Sequence, residues 1–206
     1  MKPATEPPGR SVTERRRAVA LAGHVGDVAA ARAGLADGAA TVRATALGAL
    51  ARLAALRDRD LPDALADPAP EVRRRACELS RGAPTVSIAA ALDDPDHSVT
   101  EAAAWASGER RDPTSVPALV AMASTSEGHP DPLCREAAVA ALGAIGDRRG
   151  LAAVIGALDD KPAIRRRAAA ALAGFDDPAA DAALERCLED RDWQVRQVAE
   201  DLLDAG

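Results

Sequence analysis

The chain has 206 residues, of which 48% are apolar but only 1% aromatic, and its formal net charge is −6 at pH 7. Abundant Ala and Leu with so few aromatic side chains favour closely packed helices and argue against a β-sheet. Charge is uneven, because residues 1–82 carry 14 basic and 10 acidic groups whereas residues 83–206 carry 12 and 22. The overall acidity counts against a nucleic-acid partner.

The cysteines and the N-terminus indicate the compartment. Cys77, Cys134 and Cys187 are far apart and form no CxxC pair, which predicts neither a disulfide framework nor a zinc site. Residues 1–10 are polar and rich in proline, and no run of about eighteen apolar residues follows. We therefore expect a cytoplasmic protein with a disordered leader over residues 1–10 and a single repeat domain over residues 11–206.

A repeated pattern begins after the leader. Ser11 and Glu14 have the spacing of a capping box, which predicts a first helix through about Gly23. From there a Leu, one or two acids, an apolar residue, an Arg and several alanines recur about every thirty residues. The pattern begins at Leu35, Leu65, Leu92, Leu158 and Leu188. Such a period is typical of a solenoid, whose units bury their apolar faces by stacking.

Each repeat is predicted to contain a first helix, a turn rich in Asp and Pro, and a second helix. The predicted first helices cover roughly residues 27–36, 60–66, 85–92, 113–124, 148–158 and 178–188. The predicted second helices cover roughly residues 41–53, 70–80, 98–107, 133–145, 163–174 and 193–203. The fold expected is an all-α, right-handed solenoid of about six two-helix repeats plus an N-terminal half repeat.

The alanine-rich second helices carry a family resemblance. The segment Arg135-Glu136-Ala137-Ala138-Val139-Ala140-Ala141-Leu142 and its counterparts over residues 11–204 resemble the short bacterial HEAT-like repeats of phycobilisome-lyase-related proteins. The resemblance implies an armadillo-like superhelix whose second helices line the concave surface. It implies no single function, because scaffolds, lyase subunits and unrelated enzymes share such repeats.

Two enzyme classes with such repeats stand as alternatives to a scaffold. One is a subunit of a lyase resembling the phycobilin lyases. The other is a HEAT-like alkylpurine DNA glycosylase, which needs a basic channel and aromatic residues that are scarce here. An iron site like that of deoxyhypusine hydroxylase is excluded because no His-Glu dipeptide occurs. The three histidines show no ligand spacing, so we expect no metal and no other cofactor.

The aspartate of each turn and the arginine of each second helix are expected to be structural. An Asp of one turn can pair with the Arg of a neighbouring repeat and also cap the following helix, which would fix the register between repeats. The aspartates concerned are Asp37, Asp67, Asp94, Asp160 and Asp190.

The candidate partner-binding residues lie on the expected concave face, and they are Arg74, Glu101, Trp105, Glu136 and Arg166. Trp105 occupies a position that is small or acidic in other repeats, which predicts an exposed binding anchor. Trp193, in contrast, is expected to pack or to cap a helix. A longer loop over residues 124–132 offers an alternative surface.

The function that the sequence favours is a non-catalytic protein-interaction scaffold. It would be a monomer or weak dimer that presents the concave face to a peptide or protein partner. The mixture of Arg and Glu on that face suits an acidic protein segment better than a phosphate backbone.

Overall fold

The computed structural model describes residues 10–204, and within this range the structure is helical with turns and no strand. Residues 1–9 of the predicted leader lie outside the described residues, and Arg10 is exposed. The described α-helices are α1 (Val12–Val25), α2 (Val28–Ala33), α3 (Ala40–Arg52), α4 (Asp60–Leu65), α5 (Pro70–Ser80), α6 (His97–Glu109), α7 (Val116–Ala123), α8 (Pro132–Ile145), α9 (Leu151–Gly156), α10 (Pro162–Leu172), α11 (Pro178–Cys187) and α12 (Trp193–Leu203). The all-α solenoid prediction is confirmed.

The helices follow the predicted order of repeats. Helix α1 is the N-terminal half repeat, and the second helices of the six full repeats are α3, α5, α6, α8, α10 and α12. The chain divides into two compact units, Met1–Leu79 and Ser80–Gly206, which we call the first and second units. The boundaries of a single domain over residues 11–206 remain a prediction.

The helix termini show why the sequence folds locally as it does. The predicted capping box of α1 is present, because the Ser11 hydroxyl accepts from the Glu14 N–H and the Glu14 carboxylate accepts from the Ser11 N–H. Helices α1 and α8 end at Gly26 and Gly146, whose φ angles of 86° and 70° lie in the left-handed region that glycine adopts without strain.

One predicted first helix is wrong. Residues 85–92 were expected to be helical, but the structure has turns up to Ile88 and only a 3₁₀ segment over Ala89–Asp93. The Arg110 guanidinium explains the difference, because it donates to the carbonyl oxygens of Pro84 at 2.6 Å and Val86 at 2.9 Å. These bonds hold an irregular backbone that a helix would otherwise replace.

The second helices supply most of the buried surface. We number their positions from the first buried apolar residue of each, which is Val42 in α3, Val72 in α5, Val99 in α6, Cys134 in α8, Ile164 in α10 and Val195 in α12. Positions 0, +4, +7 and +8 form the predicted buried stripe, and in α10 each of these four residues is at most 8% exposed. Burying one Leu or Ile in this stripe contributes roughly 1.5–3 kcal/mol.

Glycine at position +9 lets neighbouring second helices approach closely in the second unit. A Cβ on Gly108 would lie 2.9 Å from Cα of Ala141, and a Cβ on Gly143 would lie 2.7 Å from Cα of Ala171. Both alanines occupy position +7. The backbones of α6, α8 and α10 are therefore in near contact, and only small side chains fit between them.

Two pairs of the predicted ladder lie within the first unit and two lie within the second. Each arginine makes two short bonds to both carboxylate oxygens of an aspartate 22 to 25 residues later in the chain. The pairs are Arg15 with Asp37 and Arg43 with Asp67 in the first unit, and Arg135 with Asp160 and Arg165 with Asp190 in the second. The prediction that these aspartates pair with an arginine of a neighbouring repeat is therefore confirmed.

Aspartates of the predicted ladder also accept backbone N–H groups within the turns in which they lie. Asp37 and Asp67 each accept the backbone N–H two residues later, and so do Asp94 and Asp190. The pKa of Asp37 is lowered to about 2, mainly by its bond to the Arg15 guanidinium and secondly by this backbone bond. The pKa values of Asp67, Asp160 and Asp190 are also lowered, with the partner arginine again the main cause.

Candidate functional site

Trp105 is an exposed aromatic residue at the centre of the candidate site in the second unit. It lies at position +6 of α6 and 42% of its surface is exposed, as the sequence predicts. Its ring is not free in space, because the Arg167 guanidinium carbon lies 5.8 Å from the ring centroid. Nη2 of Arg167 is in turn 3.3 Å from a carboxylate oxygen of Glu136. We call Trp105, Glu136 and Arg167 the Trp105 cluster.

The close packing of three helices explains how the cluster forms. Trp105, Glu136 and Arg167 belong to α6, α8 and α10, whose backbones approach at Gly108 and Gly143. In α8, position +6 is the small residue Ala140. A long side chain from α10 can therefore extend past α8 to the indole ring. Trp105 is exposed because of its position in α6, and Arg167 reaches it because Gly108 and Gly143 let the three helices pack closely.

The charges of the cluster are partly shielded from water. Glu136 is 25% exposed and Arg167 is 40% exposed. Nε of Arg167 is buried and has no hydrogen-bond partner within the described residues, which leaves its N–H unsatisfied. A cation over an aromatic ring gains roughly 0.5–1 kcal/mol at an exposed site. The guanidinium is thus held by a ring and a carboxylate while part of its hydrogen-bonding capacity remains unused.

Glu101 lies one helical turn before Trp105 and is half-buried. The pKa of the buried Cys134 thiol is raised to about 11. Burial is the main cause, and the negative charges of Asp131 and Glu101 add to it. No ion pair to Glu101 occurs in the part of the chain that the structure describes. Its carboxylate therefore adds negative charge beside the indole ring.

Arg166 and Arg74 contact residues outside the Trp105 cluster. Nε of Arg166 is 3.2 Å from the Pro162 carbonyl and 3.8 Å from Asp192, and the guanidinium also contacts Gln194 at the start of α12. Arg74 belongs to the first unit, where its guanidinium is 3.3 Å from Glu78. The structure thus brings Glu136 to Trp105, and it does so through Arg167, a residue that the sequence analysis did not select.

Trp193 differs from its prediction. It was expected to pack or to cap, but it is 63% exposed at the first position of α12, and Asp192 caps the helix by accepting the Gln194 N–H. Among the described residues no cation lies over its ring. The chain therefore has two exposed indoles, of which only Trp105 is held by a charged neighbour.

The long loop over residues 124–132 is folded back on the second unit. The His129 N–H donates to the Met122 carbonyl, and Nη1 of Arg135 donates to the His129 carbonyl at 2.8 Å. Nδ1 of His97 is 3.3 Å from Asp131, and the His97 and His129 rings meet edge to face with centroids 4.7 Å apart. The loop is thus fixed at both ends, with two imidazoles at its base.

Residues 10–204 contain neither a metal-binding cluster nor a membrane-spanning helix. Across residues 10–204 no three His, Cys, Asp or Glu side chains are grouped so that they could hold a metal ion. No helix in this range is long and apolar enough to cross a membrane. All three cysteines are buried, and none is in a disulfide within the described residues.

Comparisons with known proteins agree with this architecture. A family of HEAT repeats matches residues 127–204. No curated protein sequence matches the chain. Among solved structures, the CpcE–CpcF complex of phycocyanin lyase from Nostoc sp. is 24% identical, with 99% of this chain and 80% of that chain covered and a TM-score of 0.44.

Two further structures are similar at lower identity. YibA of Escherichia coli is 17% identical, with 97% of this chain and 76% of that chain covered and a TM-score of 0.59. A designed armadillo repeat protein in complex with the peptide (KR)4 is 16% identical, with 95% and 99% covered and a TM-score of 0.58. Residues 127–204 thus match a family of HEAT repeats, and the described residues have the all-α repeat fold seen in HEAT and armadillo proteins.

Proposed function

We propose that this protein is a non-catalytic protein-interaction module, which contacts a peptide or protein partner through the second-helix face around Trp105. The observation that carries the proposal is an indole ring that is 42% exposed yet held by Arg167 and Glu136. Tryptophan and arginine are the residues most often found as energetic anchors of protein interfaces. Here both occur together on rigid helices.

The arrangement of the cluster favours binding for two physical reasons. A ring that is already restrained by a neighbouring cation loses little conformational entropy when a partner covers it. The Arg167 side chain is 40% exposed and Glu101 has no ion pair within the described residues, so a partner can meet a donor and an acceptor near the ring. A similar fold in the designed armadillo protein is complexed with a peptide, which supports a peptide as one kind of partner.

Arg74 and Arg166 remain candidate partner contacts under this proposal. Each is held by a neighbour in its own unit, Glu78 for Arg74 and Gln194 for Arg166, so a partner carboxylate would compete with that neighbour. We also propose a reducing compartment such as the cytoplasm, because three buried cysteines outside any described disulfide suit it.

A site-specific photo-crosslink tests this function. Ala170 is exposed at position +6 of α10, and replacing it with benzoylphenylalanine places a crosslinking group on the proposed face. We expect a defined protein partner to be captured from the native lysate, with the crosslink lost in Trp105→Ala. With that partner purified, Trp105→Ala should weaken binding by about 2 kcal/mol, roughly 30-fold.

Trp193→Ala is the matched control, because it removes the other exposed indole. It should change the dissociation constant by less than about twofold. The proposal is wrong if both variants bind the partner as tightly as the unchanged protein, or if Trp193→Ala alone weakens binding.

A further inference from the structure

The first unit has an open cleft that the Trp105 cluster does not involve. Its volume is about 330 Å³, at the low end of the range for ligand pockets. The floor consists of Gly48 and three alanines from α1 and α3, and the sides carry His24, Thr45, Arg52 and Arg75. No acidic side chain lines it. The cleft thus combines an apolar floor with cationic sides.

Both guanidiniums lie close to the helix surface because glycines leave room for them. A Cβ on Gly48 would lie 2.7 Å from Nη2 of Arg75, and a Cβ on Gly23 would lie 3.3 Å from Nη1 of Arg52. The two cations therefore lie over backbone at the edge of the cleft. Both arginines line the cleft, and Nη1 of Arg75 also donates to Glu78.

The cations near the cleft outnumber the carboxylates that neutralise them. A single acid, Glu78, is 2.7 Å from Arg75 and 3.3 Å from Arg74. Arg52 makes no hydrogen bond or ion pair within residues 10–204. One carboxylate thus serves two guanidiniums and a third has none, which leaves the cleft with net positive charge.

We propose that this cleft binds a glutamate or aspartate side chain of an acidic peptide segment. A Glu side chain matches both parts of the cleft, because its methylenes can lie on the alanine and glycine floor while its carboxylate meets Arg52 and Arg75. Arginine binds carboxylates through two parallel N–H bonds, which gives both geometry and strength. This site lies beyond the function proposed for Trp105 and stands or falls separately.

A nucleic acid fits this cleft less well than an acidic peptide. The first unit has no Trp, Phe or Tyr, and the small imidazole of His24 is the one aromatic ring at the cleft on which a base can stack. A phosphate backbone also has no apolar part to cover the alanine floor. A carboxylate on a short aliphatic stem uses every part of the cleft.

Binding of a defined peptide tests the proposal with the full-length protein. The probe is a fluorescein-labelled octapeptide of alternating Glu and Ser, with the matching Gln and Ser peptide as its neutral control, followed by anisotropy at low and physiological salt. We expect the Glu peptide alone to bind. Arg52→Ala and Arg75→Ala should each weaken it by about tenfold, and Glu78→Gln should tighten it several-fold because a competing carboxylate is removed.

Arg59→Ala is the matched control, since Arg59 is an exposed arginine of the same unit that does not line the cleft. It should alter affinity by less than about twofold, as should Trp105→Ala. Arg52→Lys and Arg75→Lys keep the charge if an alanine variant unfolds, and each should bind at intermediate strength. Equal binding of the Gln peptide, equal loss with Arg59→Ala, or tighter binding of a 12-base-pair DNA duplex than of the Glu peptide overturns the proposal.

Discussion

The two units use the same repeat positions for different surfaces. In the first unit, Arg75 at position +3 of α5 lies over Gly48 at position +6 of α3, and the missing side chain leaves a cleft. In the second unit, Arg167 at position +3 of α10 meets the Trp105 ring at position +6 of α6. An arginine at position +3 therefore borders an open cleft beside Gly48 of the preceding second helix, or extends past α8 to the exposed Trp105 ring two second helices away.

The net charge of the two units diverges in the same way. Residues 1–79 hold 13 basic and 10 acidic groups, a balance of +3, and residues 80–206 hold 13 and 22, a balance of −9. Yet the buried stripe and the arginine–aspartate ladder occur in both. The buried stripe and the ion-pair ladder, which stacking requires, are therefore common to both units, whereas the charge of the exposed residues differs. The exposed surfaces of the two units thus suit different partners.

The largest difference is expected within the ladder. Arg165 is 3% exposed and holds Asp190, whereas the side chain of Arg15 is 35% exposed and holds Asp37. Arg165→Ala should lower the free energy of unfolding by about 2–4 kcal/mol, because it leaves a partly buried carboxylate without its cation. Arg15→Ala should cost clearly less than Arg165→Ala, because solvent screens the more exposed Arg15–Asp37 pair.

Urea unfolding followed by circular dichroism measures both ladder variants. Equal losses would mean that burial does not set the strength of the ladder. A larger loss for Arg15→Ala would reverse the comparison between the units.

Glycine substitutions provide the second contrast. Gly143→Ala should destabilise the protein by about 1–3 kcal/mol, because the new Cβ would meet backbone atoms of Ala171 at 2.7–2.9 Å. Gly48→Ala should be neutral or stabilising by up to about 1 kcal/mol, because the new methyl meets only the mobile end of Arg75 and alanine favours the helix. Thermal unfolding distinguishes the two. A marked loss with Gly48→Ala would show that Arg75 is fixed rather than adjustable.

Acid titration tests the Arg15–Asp37 pair of the first unit through the pKa of Asp37. Because Arg15 and a backbone N–H lower the pKa of Asp37 from 3.8 to about 2, its stabilising effect is present above about pH 4 and is lost as the pH falls toward 2. In Arg15→Ala the pKa should move back toward 3.8 without reaching it, since the Ala39 N–H still donates to Asp37. Carboxyl carbon NMR gives this pKa directly, and an unchanged value in the variant would contradict the assigned cause.

The sequence predicted those parts of the fold that repeat. All six second helices were placed to within about two residues at both ends, and the ladder followed from an Arg and an Asp at fixed positions of the repeats. Residues 85–92 were not predictable in this way. Their backbone is held by Arg110, about 25 residues later in the chain, and nothing in their local pattern indicates that bond.

The candidate site was predicted in part. The exposure of Trp105 followed from its position, but Arg166 was chosen where Arg167 makes the contact. Three consecutive arginines all fit a solvent-exposed face, and consecutive helical residues point about 100° apart. The missed signal is the spacing itself, because positions +3 and +6 lie on one face of a helix, which makes Arg167 the better match for a residue at +6.

The smallest expected effect concerns the coupling between Trp105 and Arg167. A double-mutant cycle of Trp105→Ala and Arg167→Ala should give a coupling energy of about 0.5–1 kcal/mol in the unfolding free energy, the range for a cation over an exposed ring. Arg166→Ala is the matched control, since its guanidinium contacts Gln194 instead, and its coupling to Trp105 should be near zero.

Fluorescence quenching of Trp105 in a Trp193→Phe background tests the contact between the indole ring and Arg167 independently. Trp105 should be quenched readily by iodide because 42% of its surface is exposed, and Arg167→Ala should alter that quenching by removing both a cover and a cation that attracts iodide. Acrylamide separates these effects, because it is neutral and responds to the cover alone. If Arg167→Ala changed neither quenching nor coupling, the ring would be an unsupported surface residue like Trp193, and the contrast between the two units would rest on the cleft of the first unit alone.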